Sequence, residues 1–186
     1  MAVLYDIVLF LHIVCAIGLF ASLAMDGLAV ARLRHTNTAD GARVWVGVLQ
    51  TSAAFGPLAR VAVLGAGLYL SIAAWSWQGW IVVALVSWLA LVLLGEPLTG
   101  KDLRQLSASV RAESGALSPA LASRLHDPRL WFSVLSRAGL GAGVVCDMTV
   151  KPPLPGAAAL VVTGAALGVL ASRWRGLNRR GAARPA

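Results

Sequence analysis

Charged side chains are scarce in this chain. They make up 13% of its 186 residues, against 58% for hydrophobic ones, whereas a soluble domain carries about a quarter charged residues. So little polar surface cannot cover a water-soluble globule of this size. Between Val61 and Gly95 there is no charged residue at all. A hydrocarbon core about 30 Å thick takes roughly 20 apolar residues as a helix, so this stretch is long enough for nearly two membrane spans.

Cysteine is also rare, and familiar catalytic motifs are absent. Cys15 and Cys146 both lie inside apolar segments, with neither zinc-finger spacing nor a disulfide framework. We therefore expect both to be small, buried packing residues. The sequence has no nucleophile–histidine–acid order, no phosphate-binding glycine loop and no paired-histidine protease motif. This pattern favours a membrane protein without catalytic machinery.

Five apolar runs predict an all-α, polytopic transmembrane bundle. The Trp75–Trp80 segment, with three tryptophans, separates the second and third runs and has the composition of an interfacial aromatic belt. Consecutive prolines in Lys151–Gly156 cannot continue a helix, so this segment predicts a tight turn between the last two runs. The predicted single domain has spans at about 7–30, 57–75, 80–96, 130–150 and 156–172, cytoplasmic connections at 31–56 and 97–129, and a basic tail at 173–186.

Residues 44–59 are uncharged and moderately apolar, and they allow three interpretations. A sixth, short span would leave only Arg60 between two spans, with no loop. An amphipathic segment on the membrane surface or a kinked extension of the second helix costs less. We expect one of these last two arrangements.

Basic residues predict the orientation of the bundle. They are concentrated in the two long connections and the tail, whereas Lys151 is the sole basic residue on the opposite side. The positive-inside rule therefore predicts an external N-terminus and a cytoplasmic C-terminus. The net charge of +8 predicts contact with anionic lipid headgroups rather than with nucleic acid. The basic residues predicted to be cytoplasmic are Arg32, Arg34, Arg43, Arg60, Lys101, Arg104, Arg111, Arg124, Arg129, Arg173, Arg175, Arg179, Arg180 and Arg184.

Ionisable groups in the cytoplasmic half of the spans predict a buried ion cluster. Such groups cost several kcal/mol at depth and need partners or a purpose. We expect Arg137 to pair with Asp26 or Glu96, with Arg60 near the membrane boundary. One interpretation is that the cluster orients the helices. The other is that it forms part of an ion or proton path.

His12 and Asp147 share the outer half of the predicted bundle. An imidazole beside a carboxylate is the arrangement that orients a haem- or metal-ligating histidine. The second ligand would then come from Met148, from Lys151 or from His12 of another protomer. The alternative is a histidine that simply forms a hydrogen bond across two helices.

Two pairs of glycines lie four residues apart in the last two spans. Gly139 and Gly143 are on the fourth span, and Gly164 and Gly168 on the fifth. This spacing permits close helix approach, so we expect these two spans to pack against each other. It also leaves room for homodimerisation.

Short motifs resemble those of known bacterial membrane proteins. Leu11-His12-Ile13-Val14 and the segment Asp147–Pro152 are similar to helix ends in CopD-type copper-resistance proteins and HemJ-type protoporphyrinogen oxidases. The region from Gly56 to Trp80 resembles an uncharacterised family of small integral membrane proteins of bacteria. The resemblance implies a helical bundle of the bacterial inner membrane, with His12 linked to haem b or copper.

Three functions follow from these observations. The first is a non-catalytic membrane subunit or scaffold, alone, as a homo-oligomer or within a membrane complex. The second is a haem- or copper-associated redox protein built around His12 and Asp147. The third is a small solute or ion permease that uses Asp26, Glu96 and Arg137.

Overall fold

The computed structural model describes residues 2–95 and 100–182, and within them the chain is helical apart from its turns and one isolated bridge between Thr38 and Ala116. The second helix continues directly into a π-helical turn, Ser71–Trp75. The helices are α1 (Ala2–Leu33), α2 (Ala39–Leu70), α3 (Gly79–Leu94), α4 (Gly100–Ala112), α5 (Pro119–Leu125), α6 (Pro128–Val150) and α7 (Leu154–Ala182).

Three helical segments are long and apolar enough to cross a membrane. They are Val3–Leu33, Ala39–Trp75 and Leu154–Trp174. Helix α3 is also apolar but has only 16 residues. The all-α class and the presence of membrane-length apolar helices are thereby confirmed.

Helix α2 is much longer than the span predicted at 57–75. Thr38 caps its start, since the Thr38 hydroxyl accepts a hydrogen bond from the Gly41 amide at 3.3 Å. The helix then runs through Pro57, which lacks an amide hydrogen and removes one backbone hydrogen bond. Residues 44–59 therefore belong to an extension of the second helix, and most of the predicted connection 31–56 is helical.

The extended ends of α1 and α2 share a hydrophobic core with α4, α5 and the start of α6. The predicted connection 97–129 thus contains two helices, α4 and α5, which are separated by a turn. Both helices bury an apolar side in this core, as in a water-soluble domain, and α4 packs directly against α2. The core consists of Ala29, Val30, Leu33, Ala42, Val46, Leu49, Leu103, Leu106, Val110, Leu121, Leu125, Leu130, Trp131 and Val134.

The turn between α4 and α5 is held by Glu113. Its carboxylate accepts hydrogen bonds from the Ser118 amide at 2.9 Å and from the Ser118 hydroxyl. The hydrogen bond from the Ser118 hydroxyl lowers the pKa of Glu113, and the one from the Ser118 amide lowers it further by a smaller amount. The carboxylate is thus charged at neutral pH and keeps α5 in place at this end of the bundle.

Helices α6 and α7 approach each other through their glycines, as predicted. A Cβ atom at Gly139 would overlap the Gly164 carbonyl oxygen, and one at Gly143 would lie 2.8 Å from Val161 Cα. Likewise, a Cβ atom at Gly168 would overlap the Leu135 carbonyl oxygen. Only glycine allows the two backbones to come this close.

Both cysteines are free thiols, but the structure corrects one expectation about them. Cys15 is partly buried, whereas Cys146 is exposed on the outer surface of α6. The residue that α6 buries at this level is its neighbour Asp147, because the two side chains lie about 100° apart around the helix.

We predict that Gly139→Ala destabilises the protein by about 1–3 kcal/mol, because the added methyl group has no room against the α7 backbone. The measurement is unfolding of the purified protein in detergent, followed by circular dichroism. Gly65→Ala is the matched control, since a Cβ atom there meets nothing within 4 Å. The control should be neutral or gain up to about 1 kcal/mol from helix propensity. Equal stability of the two variants would contradict the close α6–α7 contact.

Candidate functional site

A small polar cavity lies between α1, α2, α3 and α6. Its volume is about 40 Å³. A buried water molecule requires roughly 10–15 Å³ and several polar partners, so this cavity has room for two or three. Its polar lining is Ser22, Asp26, Ser52, Arg60 and Arg137, and the remaining wall is Leu19, Phe20, Leu23, Gly56, Leu91 and Gly141.

An ion pair between α1 and α6 forms one side of this cavity. Arg137 Nη2 lies 2.9 Å from Asp26 Oδ2, and the two side chains are only 9% and 4% exposed. Arg137 Nε also donates a hydrogen bond to the Ser133 carbonyl oxygen at 3.1 Å, which holds the guanidinium against its own helix. Asp26 is one of the two partners that the sequence left open for Arg137. The other, Glu96, lies outside the described residues.

A contact between two serines, which was not predicted from the sequence, also lines this cavity. The Ser22 and Ser52 hydroxyl oxygens are 2.7 Å apart, and Ser52 also donates to the Ser22 carbonyl oxygen at 3.1 Å. A Cβ atom at Gly56 would lie 2.8 Å from the Ser22 hydroxyl, so α2 needs a glycine here. The spacing of Ser52 and Gly56, two small residues four apart, is a signal for close helix packing that could have identified this contact.

Arg60 is the third charged residue of the cavity. It lies on α2, and its carbonyl oxygen accepts a hydrogen bond from Trp88 Nε1 on α3 at 3.1 Å. This bond gives the indole of a mid-span tryptophan a polar partner. Asp26, Arg60 and Arg137, three members of the predicted inner cluster, thus line the same cavity.

His12 packs against α2 rather than towards Asp147. His12 Nδ1 forms a 3.1 Å hydrogen bond with the Val63 carbonyl oxygen. The ring carbon Cε1 lies 3.1 Å from where a Cβ atom of Gly67 would be, so the absence of a side chain there admits the imidazole. This is the hydrogen bond across two helices that the sequence offered as an alternative.

Asp147 is fully buried near the other end of α6. Its residue exposure is 0%, and neither carboxylate oxygen has a hydrogen-bond partner in the described part of the chain. No hydrogen bond therefore joins Asp147 to His12, and the predicted pair does not form. The physical reason is the nearby α2 backbone, which provides an acceptor for the His12 ring.

The two candidate second ligands for His12 within this chain form other contacts. Met148 packs in an apolar cluster with Trp80 and its neighbours, and the Lys151 ammonium lies on the Trp75 ring. Neither side chain is thus placed as a second ligand for His12. No group of three or more His, Cys, Asp or Glu side chains close enough to hold a metal occurs among the described residues. We derive no haem or copper chemistry from this arrangement.

No protein-family model, curated protein or solved structure matches this chain. The resemblance to CopD-type and HemJ-type proteins therefore stays a prediction from short motifs.

We predict that Arg137→Met destabilises the protein by about 3–5 kcal/mol, because Asp26 then remains buried without its counter-charge. The double variant Asp26→Leu/Arg137→Met should recover most of this loss, since it removes both charges together. Unfolding in detergent measures both values, with Arg129→Met as the control for loss of an exposed arginine. Additive losses in the double variant would show that the pair is not coupled.

Proposed function

We propose that the chain is a five-span protein of the bacterial inner membrane, with its N-terminus outside and its C-terminus in the cytoplasm. Helices α3 and α6 pack against each other, and α3 also packs on α7. Membrane-length apolar segments in α1, α2 and α7 accompany them. At about 24 Å, α3 is a few ångströms shorter than the hydrocarbon core, a mismatch that local thinning of the bilayer accommodates.

The two ends of the bundle support this orientation. The helices around the core shared by α1, α2, α4, α5 and α6 carry exposed arginines, which suit anionic headgroups at the cytoplasmic face. The other end carries Lys151 and the tryptophans of the turn between α2 and α3. The exposed cytoplasmic arginines are Arg32, Arg43, Arg104, Arg111, Arg124 and Arg129.

Cysteine labelling in intact cells tests this topology. We predict that a membrane-impermeant maleimide labels Trp77→Cys, which lies in the turn between α2 and α3, without permeabilisation of the inner membrane. Ser114→Cys, in the turn between α4 and α5, should react only after permeabilisation. Both variants are made in a background with Cys15 and Cys146 replaced by serine. The reverse labelling pattern would invert the proposed orientation.

Within this topology, we propose that the protein is a non-catalytic membrane subunit or scaffold. The observation that carries this proposal is the closed Asp26–Arg137 pair, which joins α1 to α6. The cavity beside it admits water molecules but is too small for an organic solute. Such a pair fixes how α1 and α6 are aligned. The bundle therefore presents a fixed surface to a partner protein or to a second copy of the chain.

An ion permease is the second candidate, and the polar lining of the cavity favours it. Asp26, Arg60, Arg137 and two serines meet around a space with room for water. Intramembrane groups of this kind often mark ion or proton paths. This candidate requires the Asp26–Arg137 pair to open during transport.

Proteoliposomes distinguish the two candidates. We predict that the wild-type protein dissipates an imposed proton gradient no faster than empty vesicles, measured with a pH-sensitive dye in the lumen. The folded double variant Asp26→Leu/Arg137→Met should behave identically, because the scaffold role uses the pair only for packing. Proton flux in the wild type that disappears in the double variant would replace the scaffold with the permease.

A further inference from the structure

Two tryptophans form a right-angled aromatic corner at the outer end of the bundle. The ring centroids of Trp75 and Trp80 are 5.6 Å apart, with an interplanar angle of 81°. Trp75 Nε1 donates a hydrogen bond to the Tyr5 hydroxyl at 3.3 Å, and Trp80 Nε1 donates to Gln78 Oε1 at 3.2 Å. These hydrogen bonds hold both indoles in place, so the corner is formed in advance. We call Trp75, Trp80 and Tyr5 the aromatic corner.

The side chain of Lys151 already places a cation in this corner. Lys151 Nζ lies 3.8 Å from the centroid of Trp75 and 5.8 Å from that of Trp80. Both distances are within the range of cation–π attraction, and tryptophan is the strongest partner for it. The aromatic corner therefore has the geometry that recognises an ammonium group.

The backbone of Lys151 gives a second indication that this side chain has a specific role. Lys151 ends α6 in the left-handed conformation, with φ 51° and ψ 51°. Glycine or asparagine usually takes this position, and another residue there costs about 1 kcal/mol or more. A lysine at this position is consistent with a side chain that must reach the aromatic corner.

We propose that the aromatic corner is a binding site for a small organic ammonium ion, and that the Lys151 ammonium is its tethered occupant. Aromatic faces attract a weakly hydrated alkylammonium, whereas a metal ion would need oxygen, nitrogen or sulfur ligands that the rings do not supply. Lys151 is itself solvent-exposed and has a flexible stem, so its ammonium can move into water when a ligand takes its place. This binding function is independent of the scaffold role.

The test is a titration of the full-length protein in dodecylmaltoside with tetramethylammonium chloride, followed by isothermal calorimetry and saturation-transfer NMR. We expect saturable binding to the wild type and binding about tenfold tighter to Lys151→Met. The tethered ammonium competes at an effective concentration in the millimolar range, and this variant removes that competition. Trp75→Ala should abolish binding. Trp174→Ala, at an exposed tryptophan of α7, is the matched control and should bind as the wild type does.

Two results would overturn the proposal. The first is a response that does not saturate and equals that of sodium chloride, in the wild type and in Lys151→Met alike. The second is saturable binding that Trp75→Ala leaves unchanged, which would locate the ligand elsewhere. If Trp75→Ala fails to fold, Lys151→Met and Lys151→Arg decide the question. The arginine variant keeps a cationic occupant and should bind no tighter than the wild type, whereas equal tightening in both variants would contradict the competition.

Discussion

The Asp26–Arg137 ion pair sets the arrangement of the bundle. In a low-dielectric interior, either charge without the other costs several kcal/mol, so α1 and α6 must meet at this level. Apolar side chains in lipid give no comparable preference, because a leucine is equally well solvated by acyl chains and by a neighbouring helix. Once the pair has formed, Ser22 and Arg60 also face the space beside it. The small polar cavity is thus a consequence of one electrostatic requirement.

Two kinds of packing coexist in this molecule. At the end where α4 and α5 lie, leucines and valines form a core like that of a soluble protein, and the hydrophobic effect stabilises it. Between α6 and α7 the contact depends instead on glycines such as Gly139 and Gly164, which bring two backbones together. The first kind requires water outside the core, and the second does not. The change from one to the other supports the proposal that the bundle crosses a membrane boundary.

Apolar runs predicted the helices well where charge or proline delimits them. Helices α3 and α6 begin and end within two residues of the predicted spans 80–96 and 130–150. Residue 96 itself lies outside the described residues. The predicted span 57–75 covers only the second half of α2, which begins at Ala39. Of the interpretations left open for residues 44–59, the structure selects the extension of the second helix. Their helical state depends on burial against α1 and α4, which are distant in the sequence. The sequence also predicted that Asp26, Arg60 and Arg137 lie together, and all three line one cavity.

The sequence by itself determined the class of structure, since lipid cannot satisfy backbone hydrogen bonds and a long uncharged segment must therefore be helical. Only the tertiary structure decided which polar groups meet. The sequence predicted that His12 and Asp147 share a depth, yet His12 bonds to the Val63 carbonyl and Asp147 has no hydrogen-bond partner among the described residues. The contact between Lys151 and the Trp75 ring is likewise visible only in the tertiary structure. Such contacts depend on the rotation of each helix about its axis and on its neighbours, and a one-dimensional pattern specifies neither.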